Sequence, residues 1–335
     1  MSQPTPTDAH VDAILTNISI AYMQEATNFV APQIFPTLGV AKQSDKYFKY
    51  YKDDWFREEA QLRAPNTESA GSGYELTTDN YSCDVFAVHK DIGAQLAANA
   101  DEVIDLEADA ARWVARQLLM KLESLFVRDF FTTSLWTGAA SGADQTGVAG
   151  TPTTNQFKQW SDVNSTPIED VGGWIDEMQE KTGYKPNTLV VGPKVATALR
   201  NHPDIIDRIK YTQRGVATLD LVAEVVGIDR IVEARATRNT AKEGGTDAYS
   251  FYFGRNALLC YSAPTPSRLE ASAGYVFAWQ GYTGTGGVEG IGTGARVTRL
   301  DMPWIKAQRI EGELAVDMKV VAADLGIFMN SAVAA

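Results

Sequence analysis

The chain of 335 residues holds few of the residue types on which most soluble chemistry depends. It has two cysteines, Cys83 and Cys260, far apart and without CxxC spacing. Neither a disulfide framework nor a thiolate metal site is suggested, and both are read as free, reduced thiols. Each of the three histidines is followed two places later by an aspartate: His10/Asp12, His89/Asp91 and His202/Asp204. No HExxH or Cys/His cluster accompanies them, so surface and capping roles are expected rather than a metal site. No apolar run approaches the ~18 residues of a spanning helix, and no basic start precedes an apolar block. The chain is therefore expected to be soluble and unexported, which leaves the N-x-Ser/Thr matches at Asn17, Asn80 and Asn164 as chance.

Catalytic signatures are missing as well. There is no GxSxG elbow, no Walker loop and no kinase motif set. The stretch Gly290-Ile291-Gly292-Thr293-Gly294-Ala295 is nominally GxGxxA, but a dinucleotide cradle must open a helix, and Arg296 to Leu300 is strand-like. It reads as a hairpin tip. Basic residues are outnumbered, 30 Lys+Arg against 42 Asp+Glu, for a net charge of −12. Such a chain is a poor grip for nucleic acid. With 44% hydrophobic residues it can nonetheless bury a substantial core, and its length suits two domains.

Along the chain, residues 1–40 read as an arm. An apolar stretch with Ile14, Leu15, Ile18 and Ile20 suggests a short helix, and the prolines at 32 and 36 push the residues before them into extended conformation. Asp45 to Trp55 alternates Tyr47, Phe48, Tyr50, Tyr51 and Trp55 with lysines, as a strand would. A Gly/Pro/Asn-rich tip comes next, then a second strand, Tyr74 to His89, with Tyr81, Cys83, Val85 and Ala87 on one face. At ~3.3 Å per residue this hairpin could reach ~50 Å, and a two-stranded ribbon needs another surface to lie on. The strongest helical periodicity runs from 101 to 135, a rod of ~51 Å opened by Asp101, Glu102 and Asp105 and stopped at Gly138.

Residues 138–165 read as a surface loop and a domain boundary. Beyond them come a helix from Pro167 to Thr182 closed at Gly183, a strand from Asn187 to Val191, and helices at 194–200 and 218–226. Strands are expected at 229–236, 249–262, 275–279, 295–300 and 305–313, and Val316 to Met329 closes the chain. Helices first and then mostly strands is an α+β arrangement.

This order resembles the tailed-bacteriophage major capsid proteins with the Hong Kong 97-like fold. The similarity is carried by Phe29-Val30-Ala31-Pro32-Gln33-Ile34-Phe35-Pro36-Thr37 leading into Lys46-Tyr47-Phe48-Lys49-Tyr50, and by Asn187-Thr188-Leu189-Val190-Val191-Gly192-Pro193 followed by Lys194 to Leu199. The resemblance implies an N-terminal arm at 1–40, an extended β-hairpin (E-loop) at 41–93, a peripheral domain at 94–185 and 305–335 with a long spine helix at 101–135, and an axial domain at 186–304. It implies a shell protein without catalytic residues, cofactor or metal. Such a protein would assemble as hexamers and pentamers into an icosahedral head around double-stranded DNA, without sequence-specific binding and without a membrane.

The arm and hairpin would contact neighbouring subunits through Ile34, Phe35, Tyr47, Phe48, Tyr50, Tyr51, Trp55 and Phe56. Portal, scaffolding and decoration proteins are the expected partners, the virion capsid is the expected location, and assembly is expected in the host cytoplasm. The chain starts almost at the arm, which implies a separate scaffold or earlier cleavage. Some members cross-link through a hairpin lysine. No lysine lies between Arg57 and Tyr74, so no such bond is expected here. Two other readings stay open: an encapsulin-like nanocompartment shell, and a soluble α+β enzyme with a site near Glu169, Asp170, Asp176 and Glu177.

Overall fold

A computed structural model describes residues 24–50, 52–99, 105–209, 218–265, 270–288 and 290–335. The helix expected around Ile14 to Ile20 lies outside these residues. In chain order the elements begin with a short turn of helix α1 (Ala31–Ile34), strands β1 (Thr37–Val40) and β2 (Ser44–Tyr50), a helical turn α2 (Lys52–Trp55), strands β3 (Leu76–Ser82) and β4 (Asp84–Gly93), α3 (Ala94–Asn99) and the long helix α4 (Leu106–Asp129). Next come β5 (Gln145–Val148), β6 (Gln156–Lys158), α5 (Pro167–Thr182), β7 (Thr188–Val191), α6 (Pro193–Asn201), α7 (Pro203–Ile209), α8 (Leu219–Val226), β8 (Arg230–Glu233), β9 (Thr237–Asn239), β10 (Tyr249–Phe251) and β11 (Ala257–Cys260). The chain ends with β12 (Gly274–Trp279), α9 (Gln280–Thr283), the short pair β13 (Gly287–Val288) and β14 (Gly292–Thr293), β15 (Ala295–Met302), β16 (Ala307–Val320) and β17 (Gly326–Asn330).

Two sheets organise these elements. In the first, the long strand β16 carries β4 along residues 307–316, and also pairs with β15 and with β12, to which β1 adds in parallel. Arg309 on β16 makes two hydrogen bonds to its register partner Asp91 on β4, at 2.7 and 2.9 Å. The second sheet has the order β6-β5-β17-β11-β7-β8. Its central strands are apolar on both faces, as a covered sheet requires. Leu189, Val191, Ala257, Leu259, Ile327 and Met329 point to a core shared with α5, α6, α7 and α8. The alternate residues Val190, Leu258, Cys260 and Phe328 point the other way, into a core built on α4.

Helix α4 thus lies between the two sheets. Leu118, Leu119, Leu122, Leu125 and Phe126 share a core with Leu314 and Val316 of the first sheet and with Phe328 of the second. Asp105 caps its start by accepting from the Ala108 amide at 3.0 Å. The helix is shorter than its periodicity suggests: 24 residues, about 36 Å, in place of the ~51 Å read for 101–135. Residues 101–104 lie outside the description. At the other end the chain turns after Asp129, and Trp136 folds back so that its indole N–H donates to the Phe130 carbonyl at 2.7 Å. Phe130, Phe131 and Trp136 keep the apolar rhythm because they are core residues, although they are no longer helical.

The arm is seated on this helix. Phe29, Val30, Ala31, Ile34 and Phe35 are all buried, and the Phe35 ring lies 4.6 Å from that of Phe130 and 5.9 Å from that of Phe126. Glu123, fully buried on the apolar face of α4, accepts from the Ala31 amide at 3.0 Å and from the Val30 amide at 3.2 Å, the donors at the start of α1. Burial pushes its carboxyl up to about 7 against the opposing pull of these amides.

Two further expectations are corrected. Residues 138–165 are not a surface loop: they supply β5 and β6, and Phe157 and Trp160 are buried under α5. Strands of three and four residues rich in Gly, Thr and Gln leave no period for a sequence reading to find. The Tyr81-Cys83 face also does not continue to Val85 and Ala87. A break at Cys83 shifts the phase, so Phe86 and Val88 turn inward and Val85 is exposed.

Helix α5 and strand β17 belong with β7 and β11, while β12, β15 and β16 form one sheet with β4. Because Phe35 is a core side chain here, Phe35→Ala should cost about 3–5 kcal/mol of stability, read as a lowered urea midpoint of the unassembled subunit. A residue serving only a neighbour would leave that midpoint unchanged.

Candidate functional site

The hairpin has a base and a tip of different character. At the base, β2 pairs with β3 from Ser44↔Ser82 to Tyr50↔Leu76. Tyr81 stacks on Phe277 of β12 with centroids 4.7 Å apart, Tyr47 lies 5.5 Å from the same ring, and Cys83 is sealed beneath them. Tyr47 donates to Asp79 at 3.1 Å, and burial together with that carboxylate raises its phenol. Asp317 of β16 accepts from the Ser82 amide at 2.8 Å. The base therefore belongs to its own subunit. Its seven-residue strands span about 23 Å each, half the reach that the aromatic pattern suggests, because Lys52–Trp55 is a helical turn.

The tip is different. Residues 56–75 hold no helix or strand, and the ribbon exposes seven large apolar side chains: Phe48, Tyr50, Trp55, Phe56, Leu62, Tyr74 and Leu76. The rings of Tyr50, Trp55 and Tyr74 form a triangle with centroids 5.7–5.9 Å apart, so the tip has a preformed aromatic cluster. Phe48 is 70% exposed and Leu62 wholly so. The tip touches its own body where the Lys52 ammonium meets Asp324 at 2.8 Å and where the Phe56 ring lies over Gly183.

Of the residues singled out in the sequence, Phe48, Tyr50, Trp55 and Phe56 are exposed on the ribbon, and Tyr50 and Trp55 meet in its aromatic cluster. Tyr47 sits at the base, and Tyr51 lies outside the described residues. Ile34 and Phe35, at 1% and 2% exposure, are packed within the subunit against α4. Their prolines signalled extended chain but gave no hint that α4 supplies a seat. Sequence reading also missed Glu123, although its place between Leu119, Leu122 and Phe126 on an apolar face could have flagged it. It missed a further exposed tip as well, where Trp304 is 77% and Ile305 50% exposed between β15 and β16.

Three of the four carboxylates of the alternative enzyme reading are engaged in structural bonding. Glu169 pairs with Arg208 at 2.8 Å, Asp170 accepts from the Trp160 indole at 3.1 Å, Glu177 accepts from the Ala140 amide at 3.0 Å, and Asp176 is exposed. These four carboxylates do not converge. Ser165 Oγ lies 2.9 Å from Nε2 of the buried His202, which invites a nucleophile–base reading. Nδ1 of that ring, however, accepts from the Asp204 amide at 3.2 Å, so the proton sits on Nε2 and the serine proton goes to the Asp162 carbonyl at 2.7 Å. A ring in that tautomer cannot take the serine proton. Among the described residues no group of three or more His, Cys, Asp and Glu is placed to hold a metal ion. Burial pushes both thiols, Cys83 and Cys260, up to about 12. Iodoacetamide at pH 8 should therefore label neither thiol in the native subunit and both after unfolding, read by mass spectrometry.

A fold built this way is shared with several solved structures. A phage-related protein from Bordetella bronchiseptica superposes with a TM-score of 0.64 at 21% identity, over 93% of this chain and 94% of that one. The mature capsid of bacteriophage PhiM1 gives 0.61 at 11% identity, over 96% and 92%. An encapsulin complex from Synechococcus elongatus PCC 7942 gives 0.55 at 13%, over 95% and 93%. The architecture is the Hong Kong 97-like fold, used by phage heads and encapsulins alike. Sequence separates the two. The family model for phage major capsid protein E matches residues 150–246. The major capsid protein of Pseudomonas phage JBD67 is 26% identical over 336 residues, covering 97% of this chain and 98% of its own. That of Burkholderia phage BcepMu is 24% identical over 257 residues, covering 75% and 76%. In fold and in sequence the chain is similar to phage major capsid proteins.

Proposed function

We propose that copies of this chain associate as hexamers and pentamers into an icosahedral head shell that encloses double-stranded DNA, and that the hairpin tip is the main adhesive element. The observation that carries this reading is the aromatic tip: seven large apolar side chains held out on a ribbon, where water contact costs roughly 1.5–3 kcal/mol for each one left unburied. Many such contacts, each weak alone, add up in a closed shell. The net charge of −12 suits a container, since it repels packaged DNA instead of clamping it. Assembly in the host cytoplasm, with scaffolding, portal and decoration proteins as partners, completes the reading.

Negative-stain microscopy of the expressed chain, alone and with its genomic neighbours, tests it. Closed particles with nuclease-sensitive contents are expected once packaging partners are present; particles filled with protein cargo would point to a nanocompartment, and a persistent monomer would contradict both. Within particles, Trp55→Ala combined with Tyr74→Ala should leave the subunit's thermal midpoint within about 2 °C, because both rings are exposed, and should reduce particle yield at least tenfold. With no lysine between Arg57 and Tyr74, the shell is held without hairpin cross-links. Boiled particles should run as single-chain bands on a denaturing gel.

A further inference from the structure

Two apolar features around the second sheet lie open in the subunit. The first is the ribbon β9–β10, in which Tyr249 pairs with Asn239 and Phe251 with Thr237. All three residues of β10 are exposed, and Tyr249 and Phe251, two apart and so on one face, are 72% and 38% exposed. A two-stranded ribbon is marginal in water by itself, and an aromatic face on it calls for cover. The Tyr249 hydroxyl donates to Asp247 at 3.3 Å, so a carboxylate sits at the end of the aromatic side chain. The second feature is a groove of about 320 Å³ between α6 and the segment after β6, lined by Trp160, Val163, Lys194, Ala198, Pro203 and Val333 among others. Val163 is 70% exposed, and Lys194, also exposed, pairs with no described carboxylate. The groove thus offers carbon walls, room for an aromatic side chain and one unanswered positive charge.

We propose that the Tyr249–Phe251 face of one copy seats in this groove of a neighbouring copy, with Asp247 meeting Lys194. The inference rests on the shell reading and names one contact within its rings. Apolar surface and charge match together: the rings fill carbon-lined space, and the carboxylate beside the Tyr249 hydroxyl meets the ammonium that the groove leaves unpaired. A chain cannot fill its own groove. The root of its ribbon, Ala236, Tyr252 and Phe253, packs into the core on the α4 face of the second sheet, whereas Trp160 and Val333 belong to the core on the opposite face, so the sheet stands between them. Because the two surfaces differ, the contact is head-to-tail, and repeating it about an axis closes a ring instead of a two-fold dimer.

Cross-linking in assembled particles of the full chain tests this. Thr197, in the groove, and Ala248, beside Tyr249, are both exposed, and the native thiols Cys83 and Cys260 are buried. With Thr197→Cys and Ala248→Cys in one chain, a short bismaleimide should give a ladder of linked chains on a denaturing gel that ends at five or six, while either substitution alone gives single chains. Particles that yield only single chains, or bands that stop at two, would overturn the contact and leave the shell reading standing. Failure of the natural chain to form particles would contradict the shell reading, and this contact with it. Charge reversal gives a second, independent measurement: Asp247→Lys should lower particle yield about tenfold, and adding Lys194→Asp should restore it to within about twofold. A yield that the second substitution does not restore would also overturn the contact.

Discussion

The subunit is organised by the burial of one helix on several sides. Helix α4 can lie between two sheets only because its apolar stripe is wide, running through Leu118, Leu119, Leu122, Leu125 and Phe126, and because each sheet offers a complementary face. What remains open is closed by the arm, and the arm's free backbone donors are met by Glu123. A buried polar group with partners is tolerable, and one left without them costs about 1–3 kcal/mol. Pairing with Glu123 therefore adds to the apolar packing that holds the arm on its own subunit.

That docking divides the described residues before 94 into two parts with opposite needs. Residues 29–47 and 77–93 satisfy most of their apolar surface inside the subunit, on α4, on Phe277 and along β16. The tip between them does not. Its aromatic triangle and Leu62 face water, with one partly exposed ion pair and one ring contact as anchors. A surface ion pair of this kind contributes at most about 1 kcal/mol. The tip is thus a surface that the proposed association with another copy would cover, with the body as its support.

Much of the body was legible in the sequence because caps and period report local structure directly. Helix α5 begins at Pro167 and ends at Gly183, which adopts φ 72° as a left-handed cap, and α8 runs from the Thr218 cap to Gly227 at φ 85°. The aromatic hairpin was also legible, since alternation and a Gly/Pro-rich tip are strong signals together. What failed did so for identifiable reasons. Phe130, Phe131 and Trp136 continue the helical rhythm because periodicity measures burial, which outlasts the helix. Strands β5 and β6 are too short to show a period. Ile34 and Phe35 look like an exposed tether until α4 is known to pass beside them, and nothing local to Pro32 or Pro36 reveals that. Sheet membership, which joins β17 to β11 and β4 to β16, is non-local and leaves no trace in any window of sequence.

In the proposed shell the arm is satisfied within its own subunit and the hairpin tip by another. Comparing backbone hydrogen exchange between dispersed subunits and assembled particles at one pH tests this most directly. Residues 56–75 should gain protection on assembly, and residues 29–35 should already be protected before it and change little. The reverse pattern, with a tip indifferent to assembly and an arm ordered only by it, would contradict the account.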